Sequence, residues 1–398
     1  MLSKDAFLGV KVLDMSRVLA GPFCGMLLAD MGADVVKLEI PDKGDDSREF
    51  PPFINGESLY YVNLNRGKKS ITLNLKTMKG KKLFKELVKH FDVILENFRP
   101  GTMDKLGLGY CELKKINPRL VYAAISGFGR TGPYSYRPGY DIIGQAMGGL
   151  LSITGWPDSP PTRSGTAIGD ILSSLFTCIG ILAALVVRER IGEGQLVDVA
   201  LVDSVFAALE NIPQRYYVEG AIPGRIGNRY EFIYPYDTFK ACDGWVVIGI
   251  ANDSIWTRFI EVTGLTELKG DERFTSNPLR VENHEALKHI IEKWTLRLGK
   301  EEIVNLLNDN RVPSCPILDI EEVSTNPHIA VARQMVVEMA QPGIGPVKLQ
   351  GNPIKMSKTK PFPRGPAPSL GDNTEDTLIN LLGITHDEYQ KLKDEGVV

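Results

Sequence analysis

Near the N-terminus the apolar positions alternate with polar ones. Val10 to Met15 reads as a strand, Phe23 to Met31 as a helix, and Val35 to Ile40 as a second strand. A strand, loop, helix and strand in that order form the building block of a parallel, doubly wound sheet. The pattern continues with strands at Lys68 to Lys76, Asp92 to Glu96 and Leu120 to Ile125, and with an amphipathic helix from Lys79 to Lys89. Loops that leave such strands lie at the carboxyl edge of the sheet, where ligands bind. The first of them ends in Ala20-Gly21-Pro22, which is not a G-x-G-x-x-G fingerprint, so dinucleotide binding by that device is not expected. Pro41 to Pro52 is polar and turn-rich and reads as a surface loop.

A long apolar stretch, Ile171 to Val187, predicts a helix buried on nearly every side. Its uninterrupted apolar run falls short of the roughly 18–20 residues needed to span a membrane. Arg188 and Arg190 suit its carboxyl end, and Gly192 and Gly194 stop it. Asp170 stands at its start and has two readings. It is an N-cap, whose oxygen takes a first-turn N–H. Or it is a carboxylate at the edge of a dry core, approached between Gly165 and Gly169 and able to act as a nucleophile.

A strand from Gln195 to Leu201 and a helix starting at Asp203 follow. The texture then changes. Tyr216 to Tyr236 is rich in Gly, Arg, Tyr and Pro and reads as a linker. Tyr236 to Phe239 and Trp245 to Ile250 read as strands paired around the Cys242–Gly244 turn. Helices are expected at Ile255–Val262, His284–Arg297 and Glu301–Asn308, with a loop at Val312–Pro316. The tail offers a β-like Val347–Leu349, Pro-rich turns from Pro361 to Pro368 and a helix from Thr374 to Leu382. The expected class is α/β. A large domain takes residues 1–215 with 330–398, a smaller α/β domain takes 225–325, and linkers run at 215–230 and 325–345. A chain of 398 residues is long enough for two cores.

Composition narrows the function. The net charge of −3 carries no basic excess, so no nucleic-acid partner is expected. The first ten residues lack a basic segment followed by a long apolar one, so neither a signal peptide nor a membrane role is expected. Five cysteines (Cys24, Cys111, Cys178, Cys242, Cys315) are scattered without C-x-x-C spacing. That suggests a reducing, cytoplasmic setting without a disulfide scaffold or metal site. No histidine lies between His90 and His284, so a His-based triad around Asp170 is not expected. Arg66, Lys68, Lys69, Lys76, Arg99 and Lys105 stand at strand ends and together could meet a polyphosphate, although each alone reads as solvated surface.

Several segments together then point to a family: Val12–Pro22, Leu28–Glu39, Asn65–Leu75, Glu96–Gly101, Asn117–Leu120, Ser126–Gly129, Gly139–Asp141 and Gly169-Asp170. Over nearly its whole length the chain resembles the class III coenzyme A transferases. That group includes formyl-CoA transferase, carnitine CoA-transferase and succinyl-CoA-dependent transferases. The resemblance implies a Rossmann-like large domain and a homodimer of two interlocked, ring-like chains. It implies an acyl-CoA donor, a small carboxylic acid acceptor and no cofactor beyond coenzyme A. Asp170 would attack the thioester to give a mixed anhydride, and CoA would return to make an aspartyl-CoA thioester. Backbone N–H groups near Gly129 or Gly148-Gly149 would stabilise the tetrahedral intermediates.

The resemblance also carries CoA contacts onto this chain. They fall on Arg17, Val18, Leu19 and Ala20, on Leu73, Asn74, Leu75 and Lys76 at the adenine-binding strand end, and on Asn97, Phe98, Arg99 and Lys105. Arg137, Tyr140 and Asp141 would lie near the pantetheine. Arg17 and Leu19 replace a His and a Gln of formyl-CoA transferase, and Ile40 precedes Pro41 where many members have Arg. Lys43 is the nearest substitute cation. A 2-methylacyl-CoA racemase is the alternative on this fold, but Tyr140 stands where its basic His is expected, and a phenol is a poor base at neutral pH. A non-catalytic CoA-binding protein is a third reading, against which Asp170 is retained. Lys240 to Asn252 holds no run of glycines of the formyl-CoA transferase kind. Arg163, Arg225 and Arg229 are open between binding a second substrate carboxylate and structural pairing.

Overall fold

A computed structural model describes residues 5–398. The chain divides into two units. One comprises the N-terminal stretch through Leu150, Arg163–Gln214 and Asn326–Val398, and the other Leu151–Thr162 with Arg215–Thr325. Residues 151–162, which the sequence leaves in the large domain, therefore group with the second unit.

The first unit is built on six strands: β1 (Lys11–Asp14), β2 (Asp34–Glu39), β3 (Lys69–Thr72), β4 (Val93–Glu96), β5 (Val121–Ser126) and β6 (Leu196–Ala200). They lie in the order β3-β2-β1-β4-β5-β6, and every neighbouring pair is parallel. This is the doubly wound order, which reverses direction between β1 and β4. Successive side chains point to opposite faces, so each central strand feeds two cores. Val12, Val93 and Val121 pack with α1 (Ala20–Asp30) on one face. Leu13, Ile94 and Tyr122 pack on the other with Phe84 and Leu87, which α3 (Met78–Val88) supplies. This unit also contains α2 (Leu59–Asn65), α4 (Asp141–Met147), α5 (Ile168–Ile191) and α6 (Leu201–Ala207).

The long helix α5 corrects two expectations. It begins at Ile168 with Ala167 as its N-cap residue, so Asp170 is the third residue of the helix and not the cap. It is also not buried all round. Thr177, Ile181, Ala184 and Leu185 are buried, whereas Leu175, Phe176, Ile179, Val186, Val187 and Ile191 are exposed. A helix apolar on every side shows no period, so its sequence could not say which stripe faces the core. At 24 residues it is, by length and composition alone, long and apolar enough to cross a membrane. Its buried stripe packs on α1 and the sheet.

The second unit pairs β7 (Tyr236–Ala241) antiparallel with β8 (Gly244–Gly249) about the expected turn, and adds β9 (Ser314–Pro316) on the far side of β8. Helices α7 (Asp253–Thr263), α8 (His284–Thr295) and α9 (Lys300–Asp309) contribute Phe259, Ile291 and Ile303 to its core. β9 occupies a stretch expected as loop, because Pro313 and Pro316 mask so short an edge strand. In the tail, the hairpin of β10 (Val336–Gln341) and β11 (Gly345–Gln350) belongs to the first unit. β10 falls wholly inside the stretch expected as a linker, 325–345. Two helices, α10 (Thr374–Leu382) and α11 (His386–Asp394), close the chain, the second in a stretch where the sequence pattern expects none.

Candidate active site

The switch between β1 and β4 opens a crevice at the carboxyl edge of the first unit's sheet. Two loops form its mouth, and they are tied directly. The Arg17 N–H donates to Asn97 Oδ1 at 2.8 Å, and Asn97 Nδ2 returns a 2.8 Å bond to Arg17 O. The guanidinium of Arg17 lies over the Phe98 ring at 5.5 Å. A cavity of about 190 Å³ lies between these loops, the end of β5 and the start of α5. Its wall contains Arg17, Val18, Leu19 and Ala20, then Asn97, Phe98 and Arg99, then Arg137, Tyr140 and Asp170. Ten residues singled out from the sequence thus share one cavity.

Gly127 and Gly139 also line it. A Cβ on Gly127 would lie 2.7 Å from the Gly139 Cα, so the two backbones touch and neither position admits a side chain. That contact sets the loop after β5 against the segment that leads into Tyr140 and α4. Gly127 is the glycine of this region in the wall, not Gly129 or the Gly148-Gly149 pair.

Asp170 is set by its neighbours. Asp141, at the start of α4, accepts the Gly169 N–H on Oδ1 at 2.8 Å and the Gln145 Nε2 on Oδ2 at 2.7 Å. A carboxylate from another helix thus satisfies an open N–H of the first turn of α5, the task expected of Asp170 itself. Gln145 is fully buried and its Oε1 takes the Ser164 N–H, which holds the approach to the helix. Ser174 Oγ bridges Asp170 O at 2.6 Å and Ala20 O at 2.5 Å, joining this turn to the first loop. Burial, and then the charge of Asp141, push the Asp170 carboxyl up to about 7. Behind Leu19 a second cavity of about 620 Å³ is lined by Tyr60, Thr166 and Ile171 among others. Burial, with Asp170 and Asp45 nearby, pushes the Tyr60 phenol up to about 12.

Other candidates lie elsewhere. Leu73 is buried in the core, and Leu75 packs against it. The Asn74 N–H donates to Val397 O, and its side chain meets Gly396 O and the Lys76 N–H. Lys76 and Lys105 are exposed outside the cavity wall. Two strand-end cations are not surface at all. Arg66 is buried against Asp30 at 2.9 Å and Lys68 against Asp14 at 2.8 Å, which removes them from any polyphosphate site. Lys69 pairs with Asp34 and Lys43 with Asp46, both at the surface. Arg225 donates to Trp156 O and Pro157 O within the second unit, a structural role. The Pro41–Pro52 loop is not wholly surface, since Asp45 and Ser47 are buried. Nothing in its polar composition signals that.

Known proteins match this chain along nearly its whole length. The profile of CoA-transferase family III matches residues 7–374. The chain is 40% identical over 391 residues to a succinyl-CoA–D-citramalate CoA-transferase of Chloroflexus aurantiacus, covering 98% of this chain and 97% of that one. It is 42% identical over 371 residues to an acetyl-CoA:oxalate CoA-transferase of Acetobacter aceti, covering 93% and 94%. The crystal structure of a CaiB/BaiF family protein from Brucella suis superposes with a TM-score of 0.85 at 37% identity, covering 95% of this chain and 100% of that one. The chain belongs to CoA-transferase family III and is a class III CoA-transferase.

Proposed function

We propose that this protein moves CoA from an acyl-CoA donor to a small carboxylic acid with Asp170 as the nucleophile. The Asp170 carboxylate attacks the donor thioester carbonyl; a mixed anhydride forms and CoA thiolate leaves. The thiolate returns to the aspartyl carbonyl, giving an aspartyl-CoA thioester and freeing the donor acid. The acceptor carboxylate attacks that thioester, and the sequence runs in reverse on the new acid. Covalent catalysis of this kind replaces one hard exchange by several easier ones. The observation that carries the reading is the placement of Asp170 in the crevice wall with its proton affinity raised. A carboxylate so held is a stronger base and nucleophile once ionised than one in water.

The cations Arg17, Arg99 and Arg137 of the wall suit the phosphates of CoA. Leu73–Lys76 and Lys105 are assigned to its nucleotide end by resemblance. Succinyl-CoA is the donor we assign, as in the Chloroflexus relative's name, with a dicarboxylic acid as acceptor. Arg163 is exposed on the segment that leads into α5 and stands outside the walls of both cavities. We also propose a homodimer, in which a second copy covers the exposed stripe of α5.

Incubation with succinyl-CoA and no acceptor should leave a covalent adduct on Asp170. Hydroxylamine should cleave it, and Asp170→Asn should neither form it nor transfer CoA. Peptide mapping that puts the adduct on Asp141 would overturn the assignment.

A further inference from the structure

Beneath the first βα loop lies a cluster of buried charges that grip the backbone of the loop and of the first turn of α1. Asp14 Oδ1 accepts the Ser16 N–H at 3.0 Å, and Lys37 Nζ donates to Ser16 O at 2.8 Å. Lys68 Nζ pairs with Asp14 Oδ2 at 2.8 Å and donates to Pro22 O at 3.0 Å. Asp45 Oδ1 accepts the Val18 N–H at 3.1 Å. The same oxygen takes the Ser47 N–H and Oγ–H, each at 2.8 Å, which fixes its direction. Asp45 Oδ2 faces Lys37 Nζ at 2.7 Å as an ion pair, with the two side chains 0% and 1% exposed.

What this cluster holds is strained. Val18 has φ +65°, the left-handed region that a β-branched residue rarely adopts. Such conformations persist only where the surroundings over-determine them, and they gather at functional sites. Val18 stands in the wall of the cavity that contains Asp170. Two residues on, Ala20 O is joined through Ser174 to the turn of Asp170. A buried ion pair gains little stability over well-packed apolar residues of the same volume. What Lys37 and Asp45 contribute is the path of the backbone between them, from Ser16 O to the Val18 N–H.

We propose that Asp45 is a positioning residue for CoA transfer: by holding the Val18 N–H it keeps the first βα loop in the left-handed turn that forms the crevice wall beside Asp170. The inference rests on the reading of Asp170 as nucleophile. No part of Asp45 touches the reacting atoms in this account.

The test is a rescue, read as the rate of adduct formation from succinyl-CoA. Asp45→Ala, folded by circular dichroism, should react about thirty-fold more slowly than the parent, the scale expected of a misplaced wall. Adding Val18→Gly should recover about ten-fold, because glycine takes the left-handed turn unaided. Asp45→Asn would set an amide N–H2 against the Lys37 ammonium, so it is made together with Lys37→Met; measured against Lys37→Met alone it keeps the acceptor oxygen and should lose no more than about three-fold. The idea fails if folded Asp45→Ala reacts at the parent rate, if Val18→Gly restores nothing, or if, with Lys37→Met in both, Asp45→Asn loses as much as Asp45→Ala. Should Asp45→Ala not fold, Lys37→Met with Asp45→Ala leaves no unpaired ammonium and takes its place. The Asp45→Asn arm decides between acceptor and charge in either case. An adduct mapped to another residue of the parent would sink the nucleophile reading alone, since the rates still report on the loop.

Discussion

The carboxyl of Asp170 titrates near pH 7, because burial and the charge of Asp141 both disfavour its ionised form. Unfolded, it would titrate near its ordinary value of 3.8. Between these limits the native state binds more protons than the unfolded chain, so stability falls as pH rises through that window. Asp170→Asn removes the titration. It should therefore melt above the parent at pH 8, by up to about 4 kcal/mol, and the difference should vanish towards pH 4. Activity runs the other way: kcat/KM should rise with pH as the carboxylate forms, with a midpoint near 7. Asp141→Asn keeps an acceptor for the Gly169 N–H and removes the neighbouring charge. It should move that midpoint down. A melting difference that does not change with pH, or an unmoved midpoint, would show that the two carboxyls are not coupled as described.

Among the elements, the touching backbones of Gly127 and Gly139 decide how the loop after β5 meets α4. Gly127→Ala would force a Cβ to within 2.7 Å of the Gly139 Cα. The loops must part, and kcat/KM should fall about a hundred-fold while stability falls about 1–3 kcal/mol. A variant as active as the parent would remove this contact from the account. Elements of this kind divide sharply in how legible they are. The strands of the sheet follow from alternation, but their order does not, and it is the family resemblance that assigns Arg17, Asn97 and Asp170 to one site. The N-cap reading of Asp170 does not hold because its rival, Asp141, stands 28 residues before the Gly169 whose N–H it takes. Arg66 and Lys68 turn inward because Asp30 and Asp14 wait there, which no local window records. The strain at Val18 is invisible in its residue type, since valine is the residue such a turn least suits. Its holder Asp45 sits in a stretch whose composition describes a surface.

For the whole molecule, the exposed stripe of α5 is the feature with most to say about assembly. Ile179 is 60% and Ile191 64% exposed, on a helix whose opposite stripe is buried. Contiguous apolar surface of this kind marks a contact. Sedimentation should give twice the 44.0 kDa chain mass, and Ile179→Glu should dissociate or aggregate the protein. A parent that sediments as an active monomer would refute the dimer. The same unit has a second feature, concerning β3. The edge of this strand is covered by residues that come far later. The Ser70 N–H donates to Asn373 Oδ1, 303 residues on, the Thr72 N–H to Thr374 Oγ1, and the Asn74 N–H to Val397 O. All of the second unit is made in between. At ribosomal rates that interval is roughly 15–60 s, during which a nascent chain shows an open strand edge with its cover still unmade. Neighbouring chains on one messenger would meet at this edge before either is complete, so the order of synthesis, more than the finished packing, sets when this protein is most exposed to mispairing.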